Sequence, residues 1–181
     1  MKQAHRIAVI YGSTRPGRLA DSVGAWVQAQ LREQASVQVD IIDPLVEGPA
    51  FKSVEARLAA ADAFLVLTPE YNHSFPAPLK SLVDAVYGAW QAKPVGFVSY
   101  GGQSGGLRAV EQLRQVFAEL HAMTVRDAVA FVDVWEQFAD GASLFAPQRS
   151  ERAFGRMLAQ LLWWSETLRR GRQAQDYAQV A

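Results

Sequence analysis

The sequence contains no cysteine. That excludes disulfides, thiolate nucleophiles, iron–sulfur clusters and cysteine-ligated zinc. It also has no surplus of charge: 18 Lys and Arg stand against 18 Asp and Glu, a formal net charge of zero. A protein that grips nucleic acid through phosphates carries a basic surplus, so no nucleic-acid partner is expected. A strongly acidic electron shuttle is disfavoured for the same reason. No apolar run approaches the roughly 18 residues that a membrane helix needs. The start, "MKQAHRIAVIYG", is basic but has too short an apolar stretch before Tyr11 and Gly12 for a secretory signal core. The expectation is a cytoplasmic chain with no membrane partner.

What is present is ordinary for a globular fold. The 181 residues, 50 % apolar, predict one domain spanning 1–181 with a sizeable core. Continuous apolar runs at Ile7–Ile10, 37–42, 63–67, 94–99 and 128–134 predict strands covered on both faces, the last interrupted by Asp133. Between them apolar residues recur at helical spacing. Leu19, Val23, Val27 and Leu31 form one stripe, and a short helix follows Ser53 as its cap through about Ala61. Leu79, Leu82, Val83, Val86 and Trp90 form the next stripe, with Pro78 as its first residue. Leu107, Val110, Leu113, Phe117 and Leu120 form another. Phe154, Leu158, Leu161, Leu162 and Leu168 mark the last helix. Strands alternating with helices predict a doubly wound α/β fold, a parallel sheet with helices on both faces. Two strand orders are common for five strands, and in both a ligand sits beyond the carboxyl ends of the strands where the order reverses. The loops that begin at Gly12, Thr68 and Tyr100 are therefore the candidates.

The first loop, "GSTRPGR" at 12–18, has two near matches, and both fail on named residues. A triphosphate-binding loop needs Lys where Arg18 stands and a hydroxyl where Leu19 stands; a dinucleotide loop needs Gly where Thr14 stands. An anion site remains, between a strand and the amino end of a helix, with hydroxyls from Ser13 and Thr14 and forked cations from Arg15 and Arg18. It suits a terminal phosphate monoester. The loop "TPEYNHSFPAP" at 68–78 is stiffened by three prolines, so its backbone groups can read the edge of a flat heterocycle, with Tyr71 and Phe75 as flat apolar surface. The loop "SYGGQSGGLR" at 99–108 has four glycines that let a backbone approach a ligand closely. It leads into the next helix at Ser104 or beside it. A phosphate grip, a stiff loop at a ring edge and a glycine-rich loop at the ring's other side describe a flavin mononucleotide (FMN) site.

With those loops in hand, the sequence resembles the NADPH-dependent FMN reductase family, which includes quinone, azo-dye and chromate reductases. The likeness rests on "GSTRPGR", "PEYNHSFPAPLKSLVDAV" and "SYGGQSGG" and runs from about Ile7 to Leu120. Beyond Asp127 it is loose, through "DG" at 140–141 and the last helix. The resemblance implies a flavodoxin-like five-stranded sheet of order 2-1-3-4-5. It assigns Ser13, Arg15 and Arg18, on the turn through Gly17, to the phosphate, and Pro69, Glu70, Tyr71 and Asn72 to the length of the isoalloxazine. Ser99, Tyr100, Gly101, Gly102 and the backbone of Gln103, Gly105 and Gly106 face its pyrimidine end. Many family members carry Ser at position 18; Arg here either strengthens the phosphate grip or points toward the nicotinamide cofactor. The implied activity is hydride transfer from NADPH or NADH to bound FMN. Electrons then pass to a small-molecule acceptor in ping-pong order, without a metal. The flavin carries the chemistry, and no acid–base dyad is found; His73 is the one candidate proton donor. The alternative is a flavodoxin-like electron carrier that does not oxidise NAD(P)H itself. The resemblance implies a homodimer or homotetramer, and a dimer is also expected because Trp90, Trp163 and Trp164 extend their helices' apolar stripes beyond what a sheet covers, unless the tail from 169 folds back over them.

Overall fold

The protein is described from a computed structural model, which places residues 4–48, 51, 53–139 and 143–180. The "DG" at 140–141 lies outside the described residues. The chain alternates as the apolar runs predict. Strand β1 (His5–Tyr11) leads to helix α1 (Ala20–Arg32), and β2 (Val37–Ile42) to a single turn, α2 (Pro44–Glu47), and to α3 (Val54–Ala60). Then come β3 (Ala63–Pro69), α4 (Ala77–Asp84), β4 (Pro94–Tyr100) and α5 (Leu107–Glu119). The chain continues through β5 (Met123–Thr124), β6 (Val129–Phe131), the turn α6 (Val134–Gln137), a small hairpin (Phe138–Ala139 with Ser143–Leu144) and the long α7 (Pro147–Ala174).

All pairings in the main sheet are parallel, in the order β2-β1-β3-β4-β5, with β6 also on β4. This is the 2-1-3-4-5 order. The central strands β3 and β4 are buried along their whole length, as expected of strands covered on both faces. One core lies under α1 and α7 and includes Val9, Val23, Val98, Phe131 and Leu161. The other lies under α3, α4 and α5 and includes Ile10, Leu58, Phe64, Leu82 and Phe117.

The structure corrects several sequence expectations. The fifth strand ends at Phe131 rather than 134, because Asp133 takes a left-handed backbone (φ 46°) and turns the chain into α6. The helix through α4 stops at Asp84, so Trp90 falls in a separate 3-10 turn (Gly88–Trp90). There it is fully buried, its indole N–H donating to Val83 O, 3.2 Å away, and also to Val86 O. Trp90 is therefore core and leaves no surplus apolar stripe. Pro78 sits in the first turn of a helix that begins one residue earlier, after Pro76. Ser53 does not cap α3 through its side chain; its hydroxyl donates to Glu47 instead, at 2.7 Å. Trp164 packs against the first core, whereas Trp163 is 61 % exposed. The tail does not cover it. Tyr177 docks against His121 and Arg172 donates to the Ala92 carbonyl. Ala92 precedes β4, so this contact lies at the sheet's amino end. No helix among the described residues is long and apolar enough to cross a membrane.

Candidate functional site

The carboxyl ends of β1, β3, β4 and β6 open into one cavity of about 330 Å³. It is lined by Ser13, Arg15, Gly17, Arg18, Pro69, Glu70, Tyr71, Tyr100, Gly101 and Gly102, and also by Pro16, Leu19, Val134 and Trp135. The three loops singled out by the sequence thus meet, as the reversal of strand order between β1 and β3 requires.

The first loop leaves β1 with Gly12 N–H donating to Leu67 O at 2.7 Å, which ties it to β3. Ser13 is buried and its hydroxyl pairs with the Tyr71 hydroxyl at 2.7 Å, joining this loop to the one after β3. No side chain caps the amino end of α1, which leaves its first-turn N–H groups and the helix dipole available to an anion. The two arginines have different roles. Arg15 has no hydrogen bond or ion pair to its guanidinium among the described residues and lies over the Tyr71 ring, 3.6 Å from the centroid. Arg18 is only 7 % exposed and all five of its N–H groups are spent. It donates to the Ser13 carbonyl (2.6 Å), to both oxygens of Asp43 (2.8 Å to Oδ1) and, twice, to Asp21 (3.1 and 2.8 Å). The hydrogen bonds it donates to Asp43, and then those to Asp21, raise its pKa against the opposing effect of burial. Arg18 therefore braces the loop, and its N–H groups are all committed to the protein's own acceptors. Of the two arginines, Arg15 is the one whose guanidinium has no hydrogen bond among the described residues.

The loop after β3 is a tight hairpin. Tyr71 and Ser74 exchange backbone hydrogen bonds (2.9 and 3.0 Å), with Asn72 and His73 between them at φ 51° and 66°. That is the two-residue turn in which both central residues are left-handed. It exposes Asn72 and His73 at the tip, away from the cavity lining. Their expected roles, ring contact for Asn72 and proton donation for His73, do not match that placement. Phe75 is half-buried against the second core.

Glu70 staples this hairpin to the glycine-rich loop. Its carboxylate accepts from Ser104 Oγ at 2.7 Å, from the backbone N–H of Arg108 at 3.1 Å and from the Arg108 guanidinium at 2.9 Å. Burial opposes the charge, but these hydrogen bonds outweigh it and hold its pKa below the usual 4.5. Ser104 is thus a staple, and α5 starts later, at Leu107 after Gly106. Gly106 has φ 83°, and a Cβ there would stand 2.8 Å from Tyr100 N, so glycine is required for both shape and space. Ser99 is fully buried and donates to the Gly105 carbonyl at 2.8 Å. It holds the loop from beneath and does not line the cavity. Gln103, Gly105 and Gly106 likewise do not line the cavity.

Tyr100 is 3 % exposed, and its hydroxyl is one of two buried side-chain polar atoms without a hydrogen-bond partner among the described residues. Burial pushes its pKa up, so it stays a neutral donor. An orphaned hydroxyl at a cavity wall marks a place where a ligand's acceptor completes the bonding. A partnerless guanidinium, an uncapped helix start, an orphaned donor and close-approach glycines around one cavity fit FMN.

The sequence reading missed Trp135. It lines the cavity from α6, at the end of the last strand, a loop that the strand-order argument did not single out. The signal was the tryptophan itself, a large aromatic in the loop after an apolar strand.

The family described as NADPH-dependent FMN reductase matches residues 5–137. The chain is similar to an NAD(P)H-dependent FMN reductase of Schizosaccharomyces pombe, 32 % identical over 136 residues, covering 64 % of this chain and 67 % of that protein. It is also similar to a quinone reductase of Pseudomonas putida, 33 % identical over 150 residues, covering 71 % and 78 %. In fold it is similar to FerB, a flavoenzyme NAD(P)H:(acceptor) oxidoreductase from Paracoccus denitrificans. That match has a TM-score of 0.71 at 20 % identity and covers 90 % of this chain and 98 % of that one.

Proposed function

Because the chain belongs to the NADPH-dependent FMN reductase family, we propose that it oxidises NADPH or NADH through FMN held in the cavity at the carboxyl ends of β1, β3, β4 and β6. The acceptor is a quinone or another small molecule of that kind, and one domain across 1–181 does the work. When bound, FMN supplies the redox chemistry, taking hydride from the nicotinamide and handing electrons to the acceptor. The chain's own residues supply position. Arg15 and the uncapped start of α1 hold the phosphate, the Tyr100 hydroxyl donates to an acceptor atom of the ligand, and Glu70 fixes the loops on either side. The observation that carries this reading is the convergence of Arg15, Tyr100 and Gly101–Gly102 on one cavity. Quinone reductase activity is what the Pseudomonas putida relative is named for.

Donor and acceptor use the same opening in turn, so initial rates with NADPH and a benzoquinone should give parallel double-reciprocal lines. Intersecting lines would reject the shared opening. Absence of NAD(P)H oxidation by FMN-loaded protein would return the reading to an electron carrier, which the balanced charge disfavours. A cytoplasmic setting suits a cysteine-free chain. Self-association is part of the proposal. The exposed Trp163 on α7 is the surface that a second copy would cover, and light scattering that returns the mass of one chain at micromolar concentration would remove it.

A further inference from the structure

The cavity has three aromatic residues in its lining, Tyr71, Tyr100 and Trp135. Two of them already have a ring face taken up by the protein's own groups. Tyr71 is covered by the Arg15 guanidinium, 3.6 Å from its centroid. Tyr100 is sunk in the first core, 3 % exposed. Trp135 is different: it is 59 % exposed and stands on backbone that is fixed to the glycine-rich loop. Val134 N–H donates to Gly101 O at 3.0 Å, and Asp133 N–H donates to Gly102 O at 3.2 Å. The indole closes over Gly102 so tightly that a Cβ there would meet its Cη2 at 3.3 Å. The left-handed Asp133 (φ 46°) makes the turn that aims it. A large apolar ring held in the open at a cavity wall is the arrangement expected of a stacking partner.

We propose that Trp135 is the ring-stacking wall of this site, the aromatic face against which a planar isoalloxazine lies. This rests on the proposal that the cavity takes FMN. The contact is to the ring alone, so it serves every flavin alike, whereas Arg15 serves only those with a phosphate. An indole against a flavin also quenches the flavin's fluorescence, which a phenyl ring does far less, so affinity and emission can be separated by substitution.

The test titrates the full chain, freed of flavin, with FMN and with lumiflavin, which has the ring but neither ribityl chain nor phosphate. Trp135→Ala should weaken both ligands by the same factor, about three- to tenfold for the loss of one aromatic contact. Trp135→Phe should bind both within about twofold of the original chain while the bound flavin emits several times more strongly. Exposure of the indole predicts an unchanged thermal midpoint for both variants. Should the alanine variant fail to fold, the emission of the phenylalanine variant decides alone. Unchanged affinity and emission in both variants would overturn the stacking role, as would a loss confined to FMN. If the unaltered chain binds neither flavin, the FMN reading itself falls; flavin binding that is indifferent to residue 135 removes only the stacking wall.

Discussion

Arg18 was expected to grip phosphate and instead braces the loop, and the two roles give opposite results when Asp43 is changed. Asp43→Asn keeps the size of the side chain and an oxygen for the Leu45 N–H, which Asp43 caps at 3.0 Å. It removes the charge that Arg18 faces. The two side chains are 7 % and 11 % exposed, so this is a buried pair. Removing one partner of such a pair costs about 3–5 kcal/mol, because the other charge is left behind. Arg18 retains Asp21 and the Ser13 carbonyl, and Asp21 is 66 % exposed and well solvated. These contacts soften the loss to about 2–3 kcal/mol. For a chain of this size that is a fall of roughly 4–12 °C in thermal midpoint. Urea unfolding of the flavin-free chain measures the energy, and titration with FMN and riboflavin measures the phosphate preference. A brace predicts a large change in the first and, for FMN over riboflavin, a ratio within about twofold of the original. Arg18→Ala should behave the same way, and the double variant should lose much less than the sum. An unchanged midpoint in Asp43→Asn would refute the brace. So would an Arg18→Ala variant that folds normally but loses its preference for FMN.

Arg15→Ala should do the reverse: folding unaltered within about 0.5 kcal/mol, and FMN affinity reduced by about 1.5–3 kcal/mol while riboflavin affinity holds. Equal losses for both ligands, read by fluorescence titration, would reject Arg15 as the phosphate partner. Glu70 has its pKa held below 4.5 in the fold, so its contribution is complete above that value and disappears as pH falls through the lower, folded one. Flavin affinity should therefore drop on acidification below pH 4.5 and be less pH-dependent in Glu70→Gln, which an equilibrium titration across pH checks. Gly106→Ala should cost about 2 kcal/mol or more, since the positive φ is compounded by the 2.8 Å approach to Tyr100 N. Gly17→Ala, at φ 64° with nothing within 4 Å, should cost only about 1 kcal/mol. Similar unfolding midpoints for the two would contradict the packing argument.

The sheet was legible because β3 and β4 are covered on both faces, and such strands write themselves as unbroken apolar runs. The positions of the three loops followed from topology alone. What did not show was how polar side chains divide their hydrogen bonds. Arg15 and Arg18 look alike in sequence; only the fold reveals that Asp43, 25 residues away from Arg18, claims one of them. Ser99 and Gly106 were assigned to ligand contact because they belong to the right loop, but the loop needs some of its members as scaffolding. Trp90 and Trp135 were misjudged or missed for a related reason. A tryptophan's surroundings depend on where the chain turns, and those turns rest on the end of α4 at Asp84 and the left-handed Asp133, neither visible as periodicity.

The split of the outermost strand has a consequence for how copies of this chain can meet. A sheet's open edge is a template on which any passing strand can continue the ladder, and that is a route to aggregation. Here one edge is broken into β5 and β6, of two and three residues, too short to recruit a foreign strand. At the other edge, Arg57 donates to the Ile41 carbonyl and pairs with Asp40, placing a charged plug on β2. Strand addition is disfavoured on both flanks, which steers contacts between folded copies toward side-chain surfaces.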